Sequence, residues 1–200
     1  MSIAAPTAAP PRRSNVATDI ALIATFAALI AGCALLPAIT VSGLVPITLQ
    51  TFGVMLAGAV LGARRGFLAV LLYLAVGAIG LPVFSGGSAG LAPFAGPTVG
   101  YLVAFPLAAL STGFIVERLP RRKIATSIPL IFLAGFASSL VFIHPLGILG
   151  LVWRADMSIG DAFLLDLAFI PGDILKNLLM ALVATAVHRA FPSLLPQRAR

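Results

Sequence analysis

Charged residues are scarce in this sequence. Only 10% of its 200 residues are Asp, Glu, Lys or Arg, whereas about a quarter of the residues in a typical soluble domain are charged. Hydrophobic residues make up 60% of the chain, and the mean hydropathy is +1.10. This composition excludes an ordinary soluble domain and predicts an integral membrane protein with several membrane-spanning segments.

The sequence has a single cysteine and no Walker A motif for binding nucleotide phosphates. Cys33 is the single cysteine, which excludes a disulfide framework and a cysteine-based metal site. Neither Lys123 nor Lys176 follows the glycine pattern of a Walker A loop, so the chain cannot hydrolyse ATP by itself. We therefore expect no metal and no cofactor, and active transport would need a partner that supplies the energy.

The net charge of +7 raises nucleic-acid binding as a possible function. That function requires a continuous basic surface interleaved with aromatic side chains. Here the basic residues instead form short clusters between long apolar segments, which is typical of topology signals in membrane proteins. We expect no nucleic-acid partner.

Six apolar segments meet or approach the roughly 20 residues that cross a bilayer. They predict an all-α integral membrane protein, a compact bundle of six transmembrane helices at 16–191 between cytoplasmic tails at 1–15 and 192–200. The predicted spans are 18–38, 46–63, 67–84, 97–117, 127–153 and 171–190. Pro145 is expected to kink the fifth span. The amphipathic segment 158–170 is too short to cross and is expected at the membrane interface.

The positions of Lys and Arg predict the orientation of the bundle. Eleven of the 13 fall in four places that six spans put on one side of the membrane, namely Arg12, Arg13, Arg64, Arg65, Arg118, Arg121, Arg122, Lys123, Arg189, Arg198 and Arg200. The positive-inside rule makes that side cytoplasmic, with both termini inside. The second, fourth and sixth spans then begin outside, and their positive N-terminal ends point toward the outer vestibule.

The longest outer loop, 81–96, reads LPVFSGGSAGLAPFAG. Its glycines allow the backbone to approach a ligand closely. Phe84, Leu91 and Phe94 are expected to anchor the loop, so that it folds back as a lid over the vestibule. The alternative, a flexible connector, would more often be polar.

The sixth span opens with a carboxylate and a lysine inside apolar sequence, in the segment Pro171-Gly172-Asp173-Ile174-Leu175-Lys176-Asn177. A charge at membrane depth is costly and is a functional-site hypothesis by default. Asp173 and Lys176 are three residues apart, so a helix places them on the same side. We predict that they act together on a ligand, and the alternative is a helix cap with a satisfied ion pair.

A second chemical pattern lies in the outer loop. Gly86-Gly87-Ser88-Ala89-Gly90 matches the G-x-S-x-G motif of hydrolases, which needs a histidine and an acid to activate the serine. His188 falls at the cytoplasmic end, and His144 has no evident carboxylate to orient it. An intramembrane hydrolase with Ser88 as nucleophile is therefore the less favoured alternative, and both histidines are expected to be structural or interfacial.

Small residues recur at helical spacing in the first span, where Ala24, Ala28 and Gly32 form small-xxx-small pairs. Such residues let another helix approach closely in lipid. The pattern predicts either a surface for a partner subunit or packing inside the chain.

Together these segments resemble the BioY family, the biotin-specific substrate-capture (S) components of energy-coupling-factor (ECF) transporters. The resemblance extends from the first span to the sixth. It rests on Val45-Pro46-Ile47-Thr48-Leu49-Gln50-Thr51, on Gly-Leu-Pro-Val-Phe at 80–84, on Gly96-Pro97-Thr98-x-Gly100-Tyr101-Leu102 and on Pro171-Gly172-Asp173-x-x-Lys176. Val99 departs from the family, which often has a second glycine there.

The resemblance implies six helices in a bacterial cytoplasmic membrane, biotin capture from outside, and no enzymatic activity. It also implies coupling to a transmembrane subunit that carries two ATPases, and Ala24 and Ala28 match the family's A-x-x-x-A surface. Some family members are thought to act without that module, which would allow a homo-oligomer. Capture of another vitamin of similar size is the alternative.

Biotin carries a ureido ring with two N–H donors and a carbonyl, an apolar bicycle, an aliphatic arm and a carboxylate. We expect Asp173 to accept N–H bonds, Lys176 to meet an anion or a carbonyl, and apolar side chains to hold the rest. The expected substrate-binding residues are Asp173, Lys176, Asn177, Thr98, Tyr101, Gly96, Gly87, Phe84, Leu91 and Gln50.

Overall fold

The computed structural model describes residues 15–40, 45–120, 127–192 and 194, and this part of the chain is mainly helical. The helices are α1 (Val16–Leu35), α2 (Gln50–Leu61), α3 (Ala63–Ala78), α4 (Ala92–Ala95), α5 (Val99–Arg118), α6 (Ile128–Arg154), α7 (Ile159–Leu167) and α8 (Ile170–Ala190). Two short strands, β1 (Ile39–Thr40) and β2 (Pro46–Ile47), pair antiparallel, with Ile39 opposite Ile47. The predicted helical fold class is therefore confirmed, with a small hairpin that the sequence did not indicate.

Four helices of the described ranges, α1, α5, α6 and α8, are long and apolar enough to cross a membrane. Large apolar side chains point outward from them, including Val103, Leu133 and Leu175, each more than half exposed. Outward-facing leucine and valine on long helices fit a lipid environment, where the surroundings are as apolar as the side chains. The chain is thus a multi-pass membrane protein.

The centre of the bundle is α2, in which ten of the twelve residues are buried. It packs against α1, α3, α5 and α8. Glycines allow close helix approaches: a Cβ atom on Gly58 of α2 would overlap the carbonyl oxygen of Ala109 on α5, and one on Gly100 of α5 would overlap that of Leu146 on α6. Between these close approaches the core is filled by large side chains such as Met55, Tyr73 and Met180, which are fully buried.

Several predicted helix ends are wrong. The first span ends at Leu35 rather than 38, because the residue before Pro37 is pushed out of the helical region and Leu36 is extended (φ −65°, ψ 153°). The second begins at Gln50 rather than 46, since Pro46 pairs with Thr40 in the hairpin.

The third predicted span, 67–84, also has different bounds. Its helix α3 begins earlier, at Ala63, and stops at Ala78. Gly80 has a φ of +113°, a left-handed conformation that ends a helix and that few residues other than glycine adopt. The residues up to Phe84 are therefore not helical, and they carry the chain into the outer loop.

The helix that contains Pro145 is irregular just before it. A π-helical turn at Ser139–Ile143 lies within α6 and ends two residues before Pro145. Proline lacks the N–H of a regular helix and its ring crowds the preceding turn, which favours such a widening. The short segment after α6 forms α7, capped by Ser158, whose hydroxyl accepts from the backbone N–H of Asp161 at 3.1 Å.

Candidate ligand-binding site

A cavity of about 280 Å³ lies where the β2–α2 segment, the outer loop, α5, α6 and the start of α8 meet. This volume is on the scale of one small-molecule site. Its apolar lining includes Val45, Pro46, Phe84, Ala92, Pro93, Leu102, Phe105, Ile143 and Phe169. Its polar lining comprises Thr48, Gln50, Thr51, Ser85, Ser88, Thr98, Tyr101, His144, Asp173 and Lys176. Although the lining residues are about equally divided, most of the wall surface is apolar, and an apolar surface with convergent polar groups is typical of a binding site.

The Asp173–Lys176 ion pair lies on the cavity wall. Lys176 Nζ is 2.5 Å from Asp173 Oδ1, and it also donates to the backbone carbonyl of Thr48 at 3.3 Å. Both side chains are buried, with 3% of Asp173 and 8% of Lys176 exposed. The first turn of α8 presents both groups to the cavity because a three-residue spacing keeps them on one side of the helix. The lysine thus joins the sixth predicted span to the segment before α2.

A second carboxylate supports the first through a histidine. His144 Nδ1 is 2.7 Å from Asp166 Oδ2, and His144 Nε2 is 3.3 Å from Asp173 Oδ2. Tyr101 Oη donates to Asp166 Oδ1 at 2.8 Å. The Tyr101 ring fits there because Gly147 has no Cβ, which would overlap it. Four helices, α5 to α8, therefore contribute to one continuous buried polar network.

Two of the predicted loop anchors hold the outer loop against the bundle. Phe84 is 2% exposed and makes edge-to-face contacts with Tyr73 and Phe94, at centroid distances of 5.5 and 5.6 Å. The third, Leu91, is 71% exposed, so the prediction that it anchors the loop is wrong. It sits on the outer surface of the turn before α4, which faces away from the bundle.

The structure brings six of the ten predicted site residues to the cavity, namely Gln50, Phe84, Thr98, Tyr101, Asp173 and Lys176. The other four, Gly87, Leu91, Gly96 and Asn177, are not among its lining residues. Asn177 is buried one turn below Asp173, where its Nδ2 donates to the backbone carbonyl of Asp173 at 2.9 Å and its side chain lies against Gly135.

Sequence reasoning missed His144 and Asp166. The sequence showed no evident carboxylate to orient His144, yet two carboxylates contact it in the structure. We expected Asp166 at the interface on an amphipathic helix, yet it is 3% exposed. The contact joins residues 22 positions apart on different helices, and no local spacing encodes it. A histidine within an apolar span was the one available signal.

The hydrolase geometry is absent from the described residues. Ser88 lines the cavity, but its hydroxyl donates to the backbone carbonyl of Ser85 at 2.9 Å. The ring nitrogens of His144 face Asp166, Asp173 and Ser139 instead. A nucleophilic serine requires a base within hydrogen-bond reach, and His144 serves other partners.

The small-residue face of α1 points away from the bundle. Ala24, Ala28 and Gly32 are exposed, and the space where a Cβ of Gly32 would lie contains no atom within 4 Å. The opposite face, with Ala27, Ile30 and Ala34, is buried. The alternative that the small-xxx-small pairs pack inside the chain is therefore wrong.

The fold and the cavity define a class: a multi-pass membrane protein with a cavity of small-molecule size among its helices, as in a transporter component. The chain belongs to the BioY family, whose family model matches residues 6–193. Members of this family are components of transporters and not enzymes, so membership excludes the hydrolase alternative.

Individual relatives are similar along most of their length. A protein of Rhizobium etli named biotin transporter BioY is 46% identical over 184 residues, covering 90% of this chain and 98% of that protein. One of the same name from Rhodobacter capsulatus is 45% identical over 193 residues, with the same coverage. A crystal structure titled as the S-component for biotin from an ECF-type ABC transporter has a TM-score of 0.81 at 28% identity, covering 88% of this chain and 95% of that one.

Proposed function

We propose that this protein captures biotin from the outer side of the membrane and takes it up as the substrate-binding component of an ECF transporter. The observation that carries the proposal is the buried Asp173–Lys176 pair on the wall of an apolar cavity, in a chain whose relatives are named biotin transporters. A buried ion pair is weak evidence for stability, so its presence favours a role in function.

Polar groups on the cavity wall support a ligand of biotin's chemistry. Thr51 Oγ1 is buried and has no hydrogen bond to any described residue, whereas Asp173 Oδ1 is paired with the Lys176 ammonium. An unsatisfied buried polar atom is costly unless something binds it. Ureido N–H groups can donate to Asp173, Lys176 can meet a carbonyl or a carboxylate, and Phe84 and Tyr101 supply apolar contact.

We assign the direct contacts to the predicted residues that line the cavity: Gln50, Phe84, Thr98, Tyr101, Asp173 and Lys176. Gly87 and Gly96 act through the backbone of the outer loop, and Asn177 holds the first turn of α8 behind Asp173. Leu91 would reach a ligand only after a movement of that loop, since its side chain is exposed.

The topology follows from the same proposal. Six crossings, by α1, α2, α3, α5, α6 and α8, place both termini on the cytoplasmic side of a bacterial cytoplasmic membrane. Helix α2 is short, about 18 Å at 1.5 Å per residue, but it is shielded by its neighbours and the non-helical residues before it extend its reach. Arg65 and Arg118 then lie inside, as the positive-inside rule requires.

Energy would come from partners. We propose that the exposed small-residue face of α1, with Ala24 and Ala28, binds the transmembrane coupling subunit of an ECF module that carries two ATPases. A homo-oligomer formed through the same face is the alternative for a chain that acts without the module.

The direct test is a titration of the purified protein with biotin, riboflavin and thiamine. We expect saturable binding of one biotin per chain and none of the other two, because the cavity holds one small molecule and its paired carboxylate and ammonium suit a ureido group. Saturable binding of another vitamin in place of biotin would contradict the assignment.

A hydrogen-bonded contact between α6 and the outer loop leads to a prediction about the rate of biotin dissociation. The guanidinium of Arg154, at the end of α6, donates from Nε and Nη2 to the backbone carbonyl of Ala95, with an Nε–O distance of 2.7 Å. Arg154→Gln should speed biotin dissociation by about three- to tenfold, the effect of one hydrogen bond. Stopped-flow chase experiments would measure it. Arg118→Gln is the control, since Arg118 donates within its own helix. An unchanged dissociation rate for Arg154→Gln would show that this contact does not keep the outer loop closed over the ligand.

A further inference from the structure

His144 occupies an unusual position between two acids. It is 5% exposed, and each ring nitrogen faces a different carboxylate, Nδ1 toward Asp166 at 2.7 Å and Nε2 toward Asp173 at 3.3 Å. A neutral imidazole has one N–H, so it can donate to only one of them and turns a lone pair toward the other. The imidazolium form donates to both. The geometry therefore favours a histidine that carries a proton.

The charges around the cavity lead to the same result. The described elements that pack around His144 carry four ionisable groups near it. These are Tyr101 on α5, Asp166 on α7, and Asp173 and Lys176 on α8. Its own helix contributes the hydroxyl of Ser139, 3.5 Å from Nε2. Two carboxylates and one lysine leave one negative charge, which a proton on His144 neutralises. An unbalanced charge in an apolar interior is costly.

We propose that His144 is a positioning residue for the substrate: by holding a proton between Asp166 and Asp173, it keeps Asp173 ionised and directed at the ligand. The inference rests on the proposed function, since it takes Asp173 as the ligand contact. Without that proton the two acids compete for one N–H. An Asp173 that took up a proton itself would become a donor and lose acceptor capacity for ligand N–H groups.

The protonation state can be tested without any ligand. Ring ¹⁵N chemical shifts of the histidines in the detergent-purified protein distinguish an imidazolium from either neutral tautomer. His144→Gln and His188→Gln each remove one set of signals and so assign them. We expect both ring nitrogens of His144 to be protonated at neutral pH. A neutral tautomer would overturn the proposal, even if the protein did not bind biotin at all.

The functional arm uses affinity and a charge rescue. His144→Gln keeps a donor near Asp173 but cannot carry the proton, so biotin affinity should fall by about tenfold or more, as for a lost charge-assisted hydrogen bond. His188→Gln is the matched control, because His188 is buried elsewhere and its Nε2 contacts the backbone carbonyl of Ala59 at 2.9 Å. Adding Asp166→Asn to His144→Gln restores the charge balance and should recover part of the loss.

A packing role alone predicts the opposite, since a second substitution in the network would weaken binding further. A double variant that binds less tightly than His144→Gln, or a His144→Gln variant of wild-type affinity, would overturn the proposal. The pH profile is a second readout. Wild-type affinity should fall as the pH rises and His144 loses its proton, and His144→Gln should lack this step. The same step in both proteins would assign it to Lys176 or Tyr101 and refute the role of His144.

Discussion

Asp173→Asn should reduce biotin affinity by a hundredfold or more, from roughly 3–5 kcal/mol for breaking a buried ion pair. The substitution removes the negative charge and one of the two acceptor oxygens for ligand N–H groups, and it leaves Lys176, 8% exposed, as an uncompensated charge. It also deprives His144 Nε2 of its carboxylate at 3.3 Å. Equilibrium titration of the purified variant would measure the loss.

Lys176→Met should have a smaller effect on biotin affinity than Asp173→Asn. The remaining Asp173 still faces His144, so its charge is not stranded. Asp161→Asn is the matched control, because Asp161 is exposed on α7 and its carboxylate accepts a hydrogen bond from the capping Ser158 outside the cavity. Thermal unfolding of each variant separates a lost site from a lost fold. If Asp173→Asn and Lys176→Met both bound biotin as the wild type does, the site assignment would be wrong.

Ala24→Trp and Ala28→Trp should abolish co-purification with the coupling subunit and ATP-driven uptake, while biotin binding by the isolated protein persists. Both alanines are exposed on α1, and neither lines the cavity. A bulky side chain separates helices that depend on close backbone approach, and lipid supplies no hydrophobic force to restore the contact. These variants should therefore lose transport but keep biotin binding.

Ala186→Trp provides the control for this experiment, because Ala186 is also an exposed alanine but lies on α8, whereas α1 packs mainly against α2 and α3. It should retain association and uptake. If the α1 variants lost biotin binding and still associated with the coupling subunit, α1 would support the site instead, and the partner surface would have to lie elsewhere.

Local spacing accounts for what the sequence could predict about the site. Asp173 and Lys176 belong to one helical turn, and their charge in apolar sequence is visible without a structure. The four long spans were predictable from length and hydropathy. The small residues of α1 left two interpretations open, and only the fold shows that Ala24 and Ala28 face outward.

The rest of the site depends on tertiary contacts. His144 and Asp166 meet through the packing of α6 against α7, and Asp166 becomes buried because Tyr101 and His144 satisfy both of its oxygens. The start of α2 moved from 46 to Gln50 because Pro46 pairs with Thr40, a contact between strands of two residues that has no periodic signal. Leu91 was an apolar residue in a loop, and apolarity alone did not reveal that it faces outward.

The cavity and the outer loop together describe how capture would proceed. Phe84 and Phe94 fix the loop by edge-to-face contacts, and Arg154 ties its far end to α6. On the proposed function, ligand entry would require these contacts to open, and a bound ligand could supply the hydrogen bond that Thr51 Oγ1 lacks among the described residues. Closure over a bound ligand also excludes water, which strengthens the polar contacts inside.

The central claim is that biotin occupies the cavity beside Asp173 and Lys176, and a structure of the biotin-loaded protein tests it most directly. The account predicts one biotin molecule in the cavity, with its polar atoms within hydrogen-bond distance of both side chains and with Phe84 and Tyr101 against its apolar part. Biotin bound at another place, with this cavity empty, would contradict it.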